Sequence, residues 1–140
     1  MTKRGLNSRP TDAELEILNV LWARGASTVR EVHDVLGARK EMLYTTVLKL
    51  MQIMTEKGLV ERDESQRAHL YVARAERDVT QGQLLADLAE RAFEGSAAKL
   101  VMRALSSKKT SAKELNEIRA LLDAFERGEE AGRGDEGGAE

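Results

Sequence analysis

Tyr44-Thr45-Thr46, with Lys49 one turn on, is the stretch whose side chains could do chemistry. A phenol, two hydroxyls and an ammonium can hydrogen-bond phosphate oxygens and base edges, and a Thr methyl can touch a thymine methyl. That is recognition chemistry, in which no bond is made or broken. Residues that break bonds are sparse. The chain has no Cys, which removes a thiol nucleophile, thiolate metal ligands and disulfides. Its two histidines, His33 and His69, fall on different segments without the spacing of a zinc site, which needs roughly four N, S or O ligands. There is no glycine-rich phosphate loop and no clear Ser-His-Asp arrangement. The many carboxylates sit at helix starts and on polar faces, where caps and solubility account for them. The sequence therefore reads as a binding protein and not an enzyme, with no metal and no cofactor.

The elements that must position this stretch follow from periodicity. Leu43, Val47 and Leu50 recur at helical spacing. On a wheel they cluster with Met54 within about 60°, which predicts a core side of Leu43, Val47, Leu50 and Met54. Glu41, Thr45, Lys49 and Gln52 point the other way, with Tyr44, Thr46 and Leu48 on the flanks. Aromatic and β-branched residues are mediocre helix formers, so a first turn of Tyr, Thr and Thr asks for a partner. Two helices precede it. Thr11-Asp12-Ala13-Glu14 is a capping box, followed by Leu15, Leu18, Leu21 and Trp22 on one face, with Trp22 expected in the core. Arg24-Gly25 ends that helix. Thr28-Val29-Arg30-Glu31 is a second capping box, with Val29, Val32 and Leu36 behind it. Gly37 is predicted as its C-cap, leaving a link from Ala38 to Met42. His33 and Asp34 are expected as a surface pair. The third helix runs to Lys57, with Gly58 as its stop.

A short helix, a tight link and a helix with polar residues outward form a helix-turn-helix, whose second helix enters the major groove near its N-terminal end. Leu59 to Asp63 and His69 to Ala73 then read as strands around a polar tip, Glu64 to Ala68. Helix, helix, helix, hairpin is the winged helix-turn-helix layout, and Arg67 near the tip would reach a minor groove or a phosphate. Candidate DNA contacts are Thr28, Lys40, Tyr44, Thr45, Thr46, Lys49 and Arg67, with Arg62 and His69 as lesser contributors.

Beyond a polar link, three more helices are predicted. The fourth starts near Asp78 and carries Leu85, Leu88, Ala92 and Phe93. The fifth carries Ala97, Leu100, Val101, Ala104 and Leu105. The sixth opens on a third capping box, Ser111 to Glu114, and carries Leu115, Ile118, Leu121, Leu122 and Phe125. So small a helical unit buries too little surface to be stable alone without staples. It has no disulfide, so pairing of two copies is expected, by the common isologous two-fold. Leu85, Leu88, Phe93, Leu100, Val101, Leu105, Leu115, Ile118, Leu121, Leu122 and Phe125 are the candidate dimer residues. The fold class is thus mainly α with a small β-hairpin. It comprises a flexible basic arm over residues 1–10, a winged helix-turn-helix domain over 11–75, and a helical dimerisation domain over 76–126. The Gly-rich, acidic residues 127–140 bury too little to order and are expected to be a disordered tail.

Charge divides in the same way. Residues 1–75 hold 12 Lys and Arg against 10 Asp and Glu, and residues 76–140 hold 10 against 14. A mildly basic first half and an acidic second half suit different tasks. No apolar run approaches the roughly 18 residues of a membrane span. The basic N-terminus lacks the apolar stretch of a secretory signal, so a cytoplasmic location is expected.

Long segments carry a resemblance. "TDAELEILNVLWARGASTVREVHDVL", "YTTVLKLMQIMTEKGLVERDESQRAHLYVA" and "GSAAKLVMRALSSKKTSAKELNEIRALLDAFE" closely resemble, in order, the BlaI/MecI penicillinase-repressor family. The resemblance covers about residues 10–126. It implies a homodimeric winged-helix transcription repressor whose N-terminal domains bind the halves of a palindromic operator and whose C-terminal helices dimerise. The family's recognition helix falls on Met42 to Lys57 and its wing on Val60 to Ala73. In its β-lactam-resistance members a membrane sensor protease cuts an Asn-Phe bond in the dimerisation domain. Arg103-Ala104 stands at the corresponding place here. The copper-responsive branch carries a C-terminal Cys motif, which this chain lacks. The competing reading is a winged-helix adaptor that meets protein rather than DNA.

Overall fold

Reciprocal caps set the first two helices. In the computed structural model, which describes residues 9–107 and 109–128, the Thr11 hydroxyl accepts from the Glu14 N–H and the Glu14 carboxylate accepts from the Thr11 N–H at 2.9 Å. Helix α1 (Asp12–Arg24) follows. Thr28 and Glu31 repeat the box at 2.9 and 3.1 Å and open α2 (Val29–Lys40). At Ser111 only half of the expected box forms: its hydroxyl accepts from the Glu114 N–H at 3.0 Å.

Two expectations around the turn are corrected. Gly37 is not a C-cap. The helix continues to Lys40 and ends on Glu41, which takes the left-handed conformation (φ 55°) and donates its N–H to the Gly37 carbonyl. Lys40 therefore sits in the last turn of α2 and not in a link. Leu43 is not core. It is the N-cap of α3 (Tyr44–Lys57), with extended φ −75° and ψ 153°, so the helical wheel that assigned it to the core side does not apply. It is 68% exposed. The buried stripe of α3 is Val47, Met51 and Met54, and Leu50 is half-buried. In α1 the buried stripe is Ile17, Leu18, Val20 and Leu21, with Leu15 only half-buried.

Strands β1 (Val60–Asp63) and β2 (Leu70–Ala73) pair antiparallel, Val60 with Ala73 through Asp63 with Leu70. Ser27, between α1 and α2, adds a bridge to Tyr71: each N–H donates to the other's carbonyl, at 3.0 and 2.8 Å. This fastens the hairpin to the helices. The core packs Ile17, Leu18 and Leu21 of α1, Val32 and Leu36 of α2, and the α3 stripe, closed by Leu59, Val60 and Tyr71. Trp22 is at its edge, half-buried, and its indole N–H donates to the Ala75 carbonyl at 2.9 Å. That bond pins the exit of the hairpin to α1. The buried Glu14 carboxylate also accepts from the Lys57 ammonium at 2.8 Å, which ties the start of α1 to the end of α3.

Helix α4 (Arg77–Ala92) follows the hairpin. The chain divides into two compact units between Leu88 and Ala89. In the second unit, Glu94 (φ 54°) and Gly95 (φ 74°) end α4, and the Ser96 hydroxyl caps α5 (Ala97–Ser107) by accepting from the Lys99 N–H. Ser111 caps α6 (Ala112–Glu126). Neither α5 nor α6 buries a single residue. Apart from Arg9, Pro10, Arg127 and Gly128, the expected arm and tail lie outside the described residues. Arg9 forms an ion pair with Asp87 at 3.7 Å.

Candidate nucleic-acid interface

The first turn of α3 presents the residues that the sequence singles out. Tyr44, Thr45 and Thr46 are exposed there, and Lys49 is exposed one turn on. No side chain caps the helix, because its N-cap is Leu43. Its leading N–H groups thus lack the side-chain acceptor that Thr11, Thr28, Ser96 and Ser111 supply to other helices. Free N–H groups and the positive end of the helix dipole favour an anion.

Tyr44 does not stand alone. Its ring meets the His33 ring edge-on at 5.7 Å and 82°, and the Arg30 guanidinium lies 5.9 Å from its centroid. Both partners come from α2. His33 is therefore half-buried against Tyr44, and among the described residues it makes no ion pair with Asp34. Sequence reading did not single out Arg30 or His33 as site residues. Their i, i+3 spacing places them on one side of α2, but nothing in the sequence says that Tyr44 meets that side.

The other expected contacts are placed as follows. Thr28 is half-buried as the α2 cap, with its oxygen accepting from the Glu31 N–H. Lys40 pairs with Glu16 at 3.4 Å. Arg67 is exposed near the tip of the hairpin, and so is His69. Arg62 is held by its neighbours: a hydrogen bond with the Tyr71 hydroxyl and then the charge of Glu64, 2.6 Å away, raise its pKa above the usual value. At the start of the tip, the Ser65 N–H donates to the Asp63 carboxylate at 2.9 Å. That bond, with a second from the Ser65 hydroxyl, holds the carboxyl below its ordinary value.

Charge pairing separates the described cations of the first unit into two sets. Arg9, Arg24, Lys40, Lys57, Arg62, Arg74 and Arg77 each have a carboxylate at 2.6–3.7 Å. Among the described residues, Arg30, Arg39, Lys49 and Arg67 have no ion pair, and they lie on α2, α3 and the hairpin tip. No group of His, Asp and Glu among the described residues could hold a metal ion, and no helix among them is long and apolar enough to cross a membrane.

In the second unit, the expected dimer residues Val101, Leu105, Leu121, Leu122 and Phe125 are exposed, Phe125 to 62%. Phe93, Leu100, Leu115 and Ile118 are half-buried. Leu85 and Leu88 are exposed on the α4 segment of the first unit. Arg103 and Ala104 are exposed within α5.

Comparison with known proteins bears on this arrangement. Residues 10–124 match the family model described as penicillinase repressor. The chain is similar to the transcriptional regulator BlaI of Mycobacterium tuberculosis, in strains CDC 1551 / Oshkosh and ATCC 25618 / H37Rv. It is 32% identical to it over 122 residues, covering 86% of this chain and 88% of that protein. It is 20% identical over 111 residues to a penicillinase repressor of Staphylococcus aureus, covering 79% of this chain and 88% of that one. A solution structure of the DNA-binding domain of the repressor BlaI aligns with a TM-score of 0.45 at 22% identity, over 48% of this chain and 82% of that one. The chain belongs to the penicillinase repressor family, whose members are transcriptional regulators and not enzymes.

Proposed function

We propose that this protein is a repressor that binds a palindromic DNA operator as a homodimer, with α3 in the major groove and the hairpin as a wing. The observation that carries this reading is the segregation of unpaired cations. Arg30 and Arg39 of α2, Lys49 of α3 beside Tyr44, Thr45 and Thr46, and Arg67 at the hairpin tip are all exposed, while the other described cations of the first unit have carboxylate partners. An unpaired cation among short hydroxyl side chains suits a phosphate backbone with base edges behind it. Thr28 and Lys40, at the two ends of α2, are further backbone contacts.

The second copy is argued from the second unit. Helices α5 and α6 bury no residue within one chain. Two copies related by a two-fold would cover Leu100, Val101, Leu105, Leu115, Ile118, Leu121, Leu122 and Phe125 and give the unit the core it lacks. The same two-fold would set two α3 helices about 34–36 Å apart, or a multiple, to match a palindrome. Joining two weak half-site contacts raises affinity through effective concentration. Derepression then follows from loss of the dimer. Cleavage in α5 around Arg103-Ala104 by a membrane sensor protease is the proposed route, and it requires that helix to open.

Fluorescence anisotropy on the protein's own upstream DNA, against a scrambled duplex and across a salt series, tests the reading. Two chains per site are expected, with log K falling by about 0.9 per log salt for each phosphate neutralised. Glu at Thr45, Thr46 and Arg67 should abolish binding. Equal, weak binding to every duplex, including those selected from random DNA, would leave the adaptor reading in its place.

A further inference from the structure

We propose that His33 is a positioning residue for the DNA contact of Tyr44, and that Gly37 stands inside α2 to make room for it. The inference rests on α3 being the DNA-facing helix.

Glycine is the poorest helix former after proline, yet Gly37 lies inside α2 and is not its cap. The surrounding geometry gives it a reason. A Cβ added to Gly37 would lie 3.0 Å from His33 Nε2, 3.3 Å from Cδ2 and 3.5 Å from Cε1. The imidazole thus rests on the bare backbone one turn along its own helix. Its ring also meets the Tyr44 ring edge-on at 5.7 Å and 82°, an arrangement aromatic pairs favour. Arg30, one turn earlier on α2, lies 5.9 Å from the Tyr44 centroid. Tyr44 itself remains 40% exposed.

Gly37, His33 and Tyr44 thus form a stack that runs from the backbone of α2 to the first turn of α3. A Tyr that swings freely must lose rotamer freedom when it meets a phosphate, while one already braced loses less. His33 acts through Tyr44 and need not touch DNA. Any side chain at Gly37 pushes the imidazole by a few tenths of an ångström and transmits the shift to the tyrosine.

The test measures operator affinity of the full chain for His33→Ala, Gly37→Ala and His33→Phe, each alone and combined with Tyr44→Phe. His33→Ala is expected to weaken binding about fivefold to tenfold and Gly37→Ala about twofold to fourfold, while His33→Phe, which keeps a ring, stays near wild type. Gly37→Ala should melt no lower than wild type, since Ala favours the helix, so affinity and stability part company. With Tyr44→Phe already present, neither alanine change should weaken binding further. Losses that simply multiply in that background, or a His33→Ala protein that binds like wild type, would overturn the proposal. If Gly37→Ala fails to fold, His33→Ala, which introduces no clash, decides alone. Wild-type protein that prefers no DNA sequence removes the repressor reading and this inference together. Specific wild-type binding with His33→Ala unaffected removes this inference only.

Discussion

The two units differ in how they bury their apolar residues. The first closes on itself: Ile17, Leu18, Val32, Leu36, Val47, Met51 and Met54 have no exposed surface, and every element from α1 to β2 supplies a buried residue. The second has well-capped helices, but among the described residues α5 and α6 bury none fully within one chain. Capping fixes where a helix begins, whereas tertiary burial supplies most of its stability. Local signals are thus as good in the second unit as in the first, and its stability must come from elsewhere. On the dimeric reading proposed above this division has a use, because the first unit would stay folded if the dimer parted.

The sharpest way to break the comparison is Leu121→Asp. A charge placed without a partner in a dimer core costs about 3–5 kcal/mol, so the proposed dimer should weaken by about two to four orders of magnitude. Operator binding should fall with it, and denaturant unfolding of the first unit should be unchanged. Sedimentation equilibrium and anisotropy on one sample measure both. A Leu121→Asp protein that remains dimeric with full affinity would show that the second unit closes in another way.

A second substitution attacks the self-sufficiency of the first unit. Glu14 is 2% exposed, and its carboxylate depends on Lys57 at 2.8 Å and the Thr11 N–H at 2.9 Å. Lys57→Met leaves that carboxylate buried beside one donor. Since the Lys57 side chain is itself 25% exposed, the low end for a broken buried pair applies, about 3 kcal/mol. Urea unfolding should show that loss, and Glu14→Gln added to Lys57→Met should recover much of it. An unchanged midpoint would mean that water replaces the ammonium.

These residues also mark how far the sequence alone reaches. The capping boxes at Thr11 and Thr28 were legible because both partners lie three residues apart, within one turn. The hairpin was legible from its change of period, and the outward face of α3 from its wheel. The Glu14–Lys57 pair was not, because the partners lie 43 residues apart, and a capping role already accounted for Glu14. Nor was the Ser27–Tyr71 bridge, a single pair with no strand pattern around it. Gly37 and Leu43 were misplaced for one shared reason. Glycine is the usual left-handed C-cap, but Glu41 takes that conformation here (φ 55°), and the helix boundary moves with it. Among the candidate contacts, Thr45, Thr46, Lys49 and Arg67 could be named from type and position. Arg30 and His33 could not, because their place depends on how α2 packs against α3.

Leu43 gives a smaller test, with opposite signs for stability and binding. It occupies an N-cap without supplying a cap. Leu43→Ser should stabilise the first unit by about 1 kcal/mol, the worth of an N-cap side chain. The new hydroxyl would then occupy an N–H of the first turn that otherwise has no side-chain acceptor, so operator affinity should fall by a few-fold. Thermal melting and anisotropy on the same preparation check both signs. A gain in both would detach the open N-terminus of α3 from DNA binding.

The smallest expected effect is on the hairpin tip, and it depends on pH. Asp63 is held below its ordinary value of 3.8 by the Ser65 N–H and hydroxyl. A carboxyl lowered in the folded state contributes stability above its unfolded value, and this is lost as pH falls through the lower, folded value. The tip should therefore keep its conformation from neutral pH down to about 4 and loosen only below it. The Ser65 amide resonance, followed by NMR, should titrate with a midpoint under 3.8, and Asp63→Asn should remove that titration. Because the change lies entirely below the unfolded value, wing order should not vary between pH 5 and pH 8. An affinity change within that interval that survives Asp63→Asn would show that the wing's pH response does not come from this carboxyl.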